Sequence, residues 1–142
     1  MSAVSSNNPP GSAIQLPGAF WIDILRRPTG GEFATAFRDD ATLEASVLPR
    51  TLRGVRNIRL FFEATKQMYD SVAFTAEDTA GLTTYLQWSG SFKGALVSGM
   101  TVLERDTEGK ISGVRLYHRP YDQVIAFASE LASRIGAEIT EV

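Results

Sequence analysis

GLTTYLQWSGSFKGALVSGMTVLERDTEGKISGVRLYHR, residues 81–119, reads as three consecutive strands of one antiparallel sheet. In the first, Leu82, Thr84, Leu86 and Trp88 fall on one face and Thr83, Tyr85, Gln87 and Ser89 on the other. Lys93-Gly94 permits a tight turn, and Gly109 suits the left-handed position of a second hairpin loop. The middle strand sets Val97, Gly99, Thr101 and Leu103 against Leu96, Ser98, Met100 and Val102, so both of its faces are apolar or small. An antiparallel sheet with one wet face alternates more cleanly, which predicts a cover on each side. Helices from the first half of the chain supply one cover, and a second copy of the chain is the simplest other. Gly90, Gly99 and Gly113 inside the strands read as bulges or bends. A bent sheet under helices makes a pocket.

Working outward, residues 1–15 are rich in Ser, Asn, Pro and Gly and read as a flexible tail. Pro17-Gly18 opens a first helix carrying Phe20, Trp21, Ile24 and Leu25, which Pro28 and Gly30-Gly31 end. A short second helix near Gly31 to Phe37 places Phe33 and Phe37 on one face. Asp39-Asp40 reads as a polar turn leading into a strand from Ala41 to Val47, and Arg50 to Arg53 as a short returning strand. A third helix, Val55 to about Tyr69, carries a stripe of Val55, Ile58, Phe62, Thr65 and Tyr69, widened by Phe61 and Met68. A strand from Val72 to Asp78 precedes the meander. Pro120 stops the last strand, and a terminal helix from about Tyr121 to Ile135 puts Val124, Ala128, Leu131 and Ile135 in one row, with Ile125 and Ala132 beside them; Gly136 ends it. The order is that of one α+β domain over residues 16–142.

Composition removes several classes of function. The net charge is −2 with no basic block, which argues against nucleic acid and anionic membrane surfaces as partners. The absence of cysteine removes disulfides and thiol chemistry, and a lone histidine rules out a multi-histidine metal site within one chain. No apolar run approaches the roughly 20 residues of a membrane span. The opening MSAVSSNNPPGSA has neither the basic nor the apolar part of a signal peptide, so a cytoplasmic location is expected.

FRDDATLEASV (37–47), then Arg53-Gly54, then a helix bearing IRLFF (58–62), resembles the nuclear transport factor 2-like superfamily, in particular its SnoaL-like polyketide cyclase and steroid Δ5-isomerase members. The resemblance runs without a gap from Trp21 to Phe62 and resumes at FKG (92–94) and DTEGKISGVRL (106–116). It implies a cone-shaped, strongly curved mixed or antiparallel sheet whose N-terminal helices close an apolar cavity, with the C-terminal helix an addition, and dimers or larger assemblies through the convex face. The residues at the isomerase base and oxyanion-hole positions are Ala45, Trp21 and Thr101, so steroid isomerisation by that mechanism is not expected: alanine cannot take a proton, and an indole N–H is a weak donor. The Asp-Arg-Asp set of limonene epoxide hydrolase-like members is not found either; Glu104-Arg105-Asp106 runs into a hairpin turn.

Among candidates for chemistry, His118 shares the phase of Val114 and Leu116, and a histidine at a cavity mouth is a candidate general acid or base. The alternative is a histidine satisfied by a backbone group at the strand end, which is commoner for one with no assigned partner. Thr101 has the pocket phase and is a candidate orienting donor. Tyr121 is a candidate to reach the mouth from the terminal helix. Asp40 is more simply part of a turn, while Glu44, Asp23 (about 200° from Trp21 on the helix), Tyr85, Tyr117, Arg115 and Arg119 point away. The expected pocket lining is Trp21, Phe33, Ala45, Phe61, Phe62, Leu86, Trp88, Thr101, Val114, Leu116 and His118. No phosphate loop, dinucleotide fingerprint or metal-ligand cluster calls for a cofactor. Three functions fit: a cofactor-independent isomerase, cyclase or hydrolase acting on a small hydrophobic or ring-containing molecule, a non-catalytic protein binding such a molecule, and an interaction or assembly module.

Overall fold

The computed structural model describes residues 16–27 and 31–139. The expected flexible tail and the helix-breaking Pro28 and Gly30 lie outside them. The elements are α1 (Ala19–Arg26), α2 (Gly31–Ala36), β1 (Phe37–Ala45), β2 (Leu52–Arg53), α3 (Val55–Met68), β3 (Ser71–Ala80), β4 (Thr83–Phe92), β5 (Ala95–Arg105), β6 (Ile111–Arg119) and α4 (Tyr121–Ile135). The order of helices and strands follows the sequence reading.

Six strands form one open mixed sheet in the order β2-β1-β6-β5-β4-β3. β3 to β6 form an antiparallel meander, and β1 inserts beside β6 in parallel, with Leu43 next to Val114 and Ala45 next to Leu116. The Lys93-Gly94 turn carries positive φ at both residues, 52° and 80°, matching the twist of a two-residue hairpin. Extra residues enter the ladder between Phe74 and Ala76 in β3, between Phe37 and Thr42 in β1, and at Ser112 in β6, opposite Glu104 and Arg105. Such insertions bend and twist a strand. Gly113, expected to mark a bend, adjoins the insertion at Ser112, whereas Gly90 and Gly99 lie in regular pairing. Gly99 has another role: a Cβ there would meet the carbonyl of Tyr117 and come within 2.6 Å of the Trp88 indole, so glycine lets the indole lie flat against β5.

Asp39 and Asp40 do not form a turn. They stand exposed within β1, where Arg38 bonds Asp40 at 3.0 and 3.2 Å. The strand begins at Phe37, whose ring packs on Phe33 at 4.9 Å and on Trp21 at 6.1 Å, so aromatic burial extends the strand past its charged residues. The core lies between the inner face of the sheet and the helices, and Trp21, Phe33, Phe37, Phe61 and Phe127 are all essentially inaccessible. Burying a side chain of this size contributes about 1.5–3 kcal/mol.

One detail of α4 differs from expectation. Ile125 and Ala132 are exposed, and Phe127 joins Leu131 and Ile135 on the buried side. Gly136 ends the helix as expected, its N–H donating to the carbonyl of Ala132. No helix among the described residues is long and apolar enough to cross a membrane.

Candidate functional site

A cleft of about 390 Å³ opens between α1, α3 and the inner face of the sheet. Its size falls within the roughly 300–1,000 Å³ of small-molecule sites. Helix α1 contributes Trp21, Ile22, Leu25 and Arg26; α3 contributes Phe61, Phe62, Thr65 and Lys66. Tyr69 and Asp70 follow, then Ser71, Val72 and Phe74 from β3, with Trp88, Thr101 and Leu116 from β4, β5 and β6. The walls are mainly aromatic and aliphatic. The charged side chains Arg26, Lys66 and Asp70 are all exposed, and two of them are engaged: Lys66 Nζ donates to the carbonyl of Arg26 at 2.9 Å, and Asp70 accepts the N–H of Gly94 at 2.9 Å.

Thr65, Ser71, Thr101 and Tyr69 give the wall its hydroxyls, and among them Tyr69 is the one bonded to a buried histidine. Tyr69 is the first residue past α3, where the backbone turns extended (φ −71°, ψ 139°) and drops the ring back under the sheet's curve. The ring packs on Trp88 at 5.7 Å and on Phe127 at 4.9 Å, and its hydroxyl lies 2.6 Å from Nε2 of His118. His118 is buried at the end of β6, bordered by Trp88 and Phe127. Its other ring nitrogen stands 3.5 Å from Oγ of Ser46, and its backbone N–H donates to that same oxygen at 2.9 Å. Ser46 is exposed and follows β1 directly, its N–H continuing the parallel ladder to the carbonyl of Leu116. Three polar side chains from three elements thus form one line from the cleft to the surface. Burial pushes the His118 imidazole down to about 4 and the Tyr69 phenol well above its usual range. Both groups are therefore neutral near pH 7.

Of the residues expected around a pocket, Trp21, Phe61, Phe62, Trp88, Thr101 and Leu116 line this cleft. Phe33, Leu86 and Val114 share the pocket phase but are sealed in the core by their neighbours, and Ala45 is a partly buried packing residue. His118 does not line the cleft: it is bonded to the hydroxyl of Tyr69, which does. Its ring is satisfied by side chains, while its backbone N–H is held by Ser46. Tyr121, expected near the mouth, is 79% exposed and away from it. Arg115 pairs with Glu104 on the other face of the sheet at 3.4 Å. Tyr69 and Ser46 went unrecognised as site residues. Tyr69 ends the α3 stripe, and a polar tip there was the available signal; nothing local marks Ser46. Among the described residues, no group of three or more Asp, Glu or His side chains is placed to hold a metal ion.

The bent open sheet with helices on its inner face is a fold shared with solved structures described as ketosteroid isomerase-like and SnoaL-like. The chain is similar to a steroid delta-isomerase from Pseudomonas aeruginosa (TM-score 0.74, 16% identity, 84% of this chain and 88% of the other covered). It is similar also to an uncharacterized protein with a cystatin-like fold, conserved in bacteria, from Silicibacter pomeroyi DSS-3 (TM-score 0.74, 13% identity, 82% of each chain). A third is a protein with a ketosteroid isomerase-like fold from Catenulispora acidiphila DSM 44928, solved in complex with trimethylamine (TM-score 0.53, 23% identity, 74% and 88% covered). No protein-family model matches the chain, and no curated protein matches it. Identities this low carry the fold and not the chemistry.

Proposed function

We propose that the cleft binds a small, mainly apolar, ring-sized molecule through a single polar atom, which bonds to the Tyr69 hydroxyl. The observation that carries this reading is that hydroxyl, held 2.6 Å from His118 in a wall built mainly from aromatic and aliphatic side chains such as Trp21, Phe61, Phe62, Trp88 and Leu116. An apolar site with few fixed polar groups orients its ligand through them. Because Tyr69 and His118 are both neutral near pH 7, the hydroxyl suits a neutral oxygen, such as a carbonyl or hydroxyl, better than an ionic group.

A thermal-shift screen with steroid, polyketide-like and terpenoid compounds tests it. A ligand at 100 times its Kd adds about 2.7 kcal/mol of stability, a clear rise in melting temperature. Tyr69→Phe keeps the ring and removes the hydroxyl, and is expected to weaken that ligand by about 0.5–1.5 kcal/mol, the worth of one neutral hydrogen bond. If the broad panel leaves the melt unmoved, the reading fails.

A second reading extends the first to a cofactor-independent enzyme of the isomerase, cyclase or hydrolase type. It is favoured by the imidazole behind the hydroxyl, which gives Tyr69 a proton-exchanging neighbour. Turnover of a stabilising compound, lost in Tyr69→Phe while binding persists, separates enzyme from binder. The outer face of the sheet, with Leu96, Tyr85 and Tyr117 exposed, supports self-association through that face.

A further inference from the structure

The line of side chains behind the cleft has a property that binding alone does not use. Every member is an amphoteric group: two hydroxyls and an imidazole, each able to donate and accept. Ser46 Oγ already accepts the backbone N–H of His118 at 2.9 Å, which leaves it one lone pair and one proton to share with Nδ1. The line therefore has two arrangements. In one, His118 Nδ1–H donates to Ser46, the Ser46 proton faces solvent, and Tyr69 O–H donates to Nε2. In the other, Ser46 O–H donates to Nδ1, Nε2–H donates to the Tyr69 oxygen, and the Tyr69 proton faces the cleft. Each arrangement holds the same number of protons and leaves all three groups neutral.

We propose that Tyr69, His118 and Ser46 form a proton relay between an oxygen acid bound in the cleft (a phenol or enol hydroxyl) and solvent at the exposed Ser46. The proposal rests on the ligand reading above. In the outward direction the ligand O–H breaks and its proton joins the Tyr69 oxygen. The Tyr69 O–H breaks toward Nε2, the Nδ1–H breaks toward Ser46 Oγ, and the Ser46 proton passes to water. The ligand is left as the oxyanion, hydrogen-bonded by the regenerated Tyr69 hydroxyl. The inward direction protonates such an oxyanion. A concerted shift never requires a buried imidazolium or phenolate, the two states that burial disfavours most strongly here. Trp88 and Phe127 flank the imidazole and limit water on its sides, so the side-chain line is the conducting route.

The probe is 2-naphthol, whose hydroxyl becomes strongly acidic when the ring is excited and whose neutral and anionic forms emit at different wavelengths. Binding is followed by equilibrium dialysis. Naphthol bound to the full-length protein is expected to emit a naphtholate band, and Ser46→Ala to lose that band while retaining affinity. Ser46→Thr, which keeps a hydroxyl, restores it, and Tyr69→Phe abolishes it. Circular dichroism establishes that each variant is folded, and a misfolded Ser46→Ala leaves the comparison of Ser46→Thr with Tyr69→Phe to decide. Binding without a naphtholate band in the wild type overturns the relay alone, as does a band undiminished in folded Ser46→Ala. Failure of naphthol to bind overturns the relay together with the ligand reading.

Discussion

The meander strands present two apolar faces that meet different fates. On the inner face Thr84, Leu86, Trp88, Val97, Thr101, Leu103, Val114, Leu116 and His118 are all buried beneath helices of the same chain. On the outer face, one residue out of phase, Leu96 is 71% exposed and Tyr117 51%, while Val102 is buried among its neighbours. Alternation in a strand fixes which residues share a face, but not whether anything lies over it. The inner face is closed because helical stripes elsewhere in the sequence match it. The outer face has no such match within the described residues. The hydrogen bond between Tyr69 and His118 belongs to the closed side, where burial gives it consequence.

The strongest way to break this contrast is at Phe127, the α4 residue that touches Tyr69, His118 and Phe92. Phe127→Ala is expected to cost about 3–5 kcal/mol in urea denaturation, as for other large aromatic truncations in closed cores. It is also expected to loosen the ring of His118 and so weaken any ligand found for the cleft. A cost near zero would mean that α4 is not part of the core and that the inner face is as open as the outer one.

How far the sequence reveals this arrangement depends on the range of the interaction. Strands and hairpins between Gly81 and Arg119 follow from alternation and from residues suited to positive φ, both local signals. The wall residues Trp21, Phe61, Phe62, Trp88, Thr101 and Leu116 are legible because phase on a helix or strand predicts the face and the resemblance supplies the face's partner. Asp39 and Asp40 mislead because turn propensity is local, whereas Phe37 is held in the strand by Phe33 and Trp21. Phe127 stands one position off the apolar row that Val124, Ala128 and Leu131 suggest, and it is buried because the space beside Phe92 and His118 accepts a ring. The contact of Tyr69 with His118 spans 49 positions, and that of Ser46 with His118 spans 72. Both depend on sheet curvature, which arises in part at a bulge between Phe74 and Ala76 that no glycine marks and at one beside Gly113, at Ser112.

Acid sharpens the contrast, because only the closed side holds a buried histidine. Burial lowers the His118 imidazole from 6.5 to about 4. Between these values the unfolded chain binds a proton at this position and the folded chain does not, so lowering the pH favours unfolding. The stabilisation is complete above pH 6.5 and disappears as the pH falls through about 4. Its size is on the order of 3 kcal/mol. Urea midpoints across this window measure it, with His118→Gln as the reference that shares every other titration. The wild type is expected to lose more stability than the variant on acidification. Parallel loss in both would place the imidazole in contact with water and remove it from the closed side.

The smallest effect is expected on the other face. Leu96→Ser in a dilute single chain should change the unfolding free energy by no more than about 0.5 kcal/mol, as for surface positions without a structural role. The same substitution should matter for association, because Leu96 is an exposed apolar residue on the same face as Tyr117 and Tyr85. Sedimentation of wild type and Leu96→Ser over a range of concentrations separates the two quantities. If a second copy covers this face, the variant moves toward the single-chain mass at concentrations where the wild type stays associated, and the melt of the dissociated chain is unaltered. If instead Leu96→Ser lowers stability as far as Phe127→Ala does, with no change in mass, then the chain itself covers both faces. In that case the distinction between a closed inner side and an open outer side is lost.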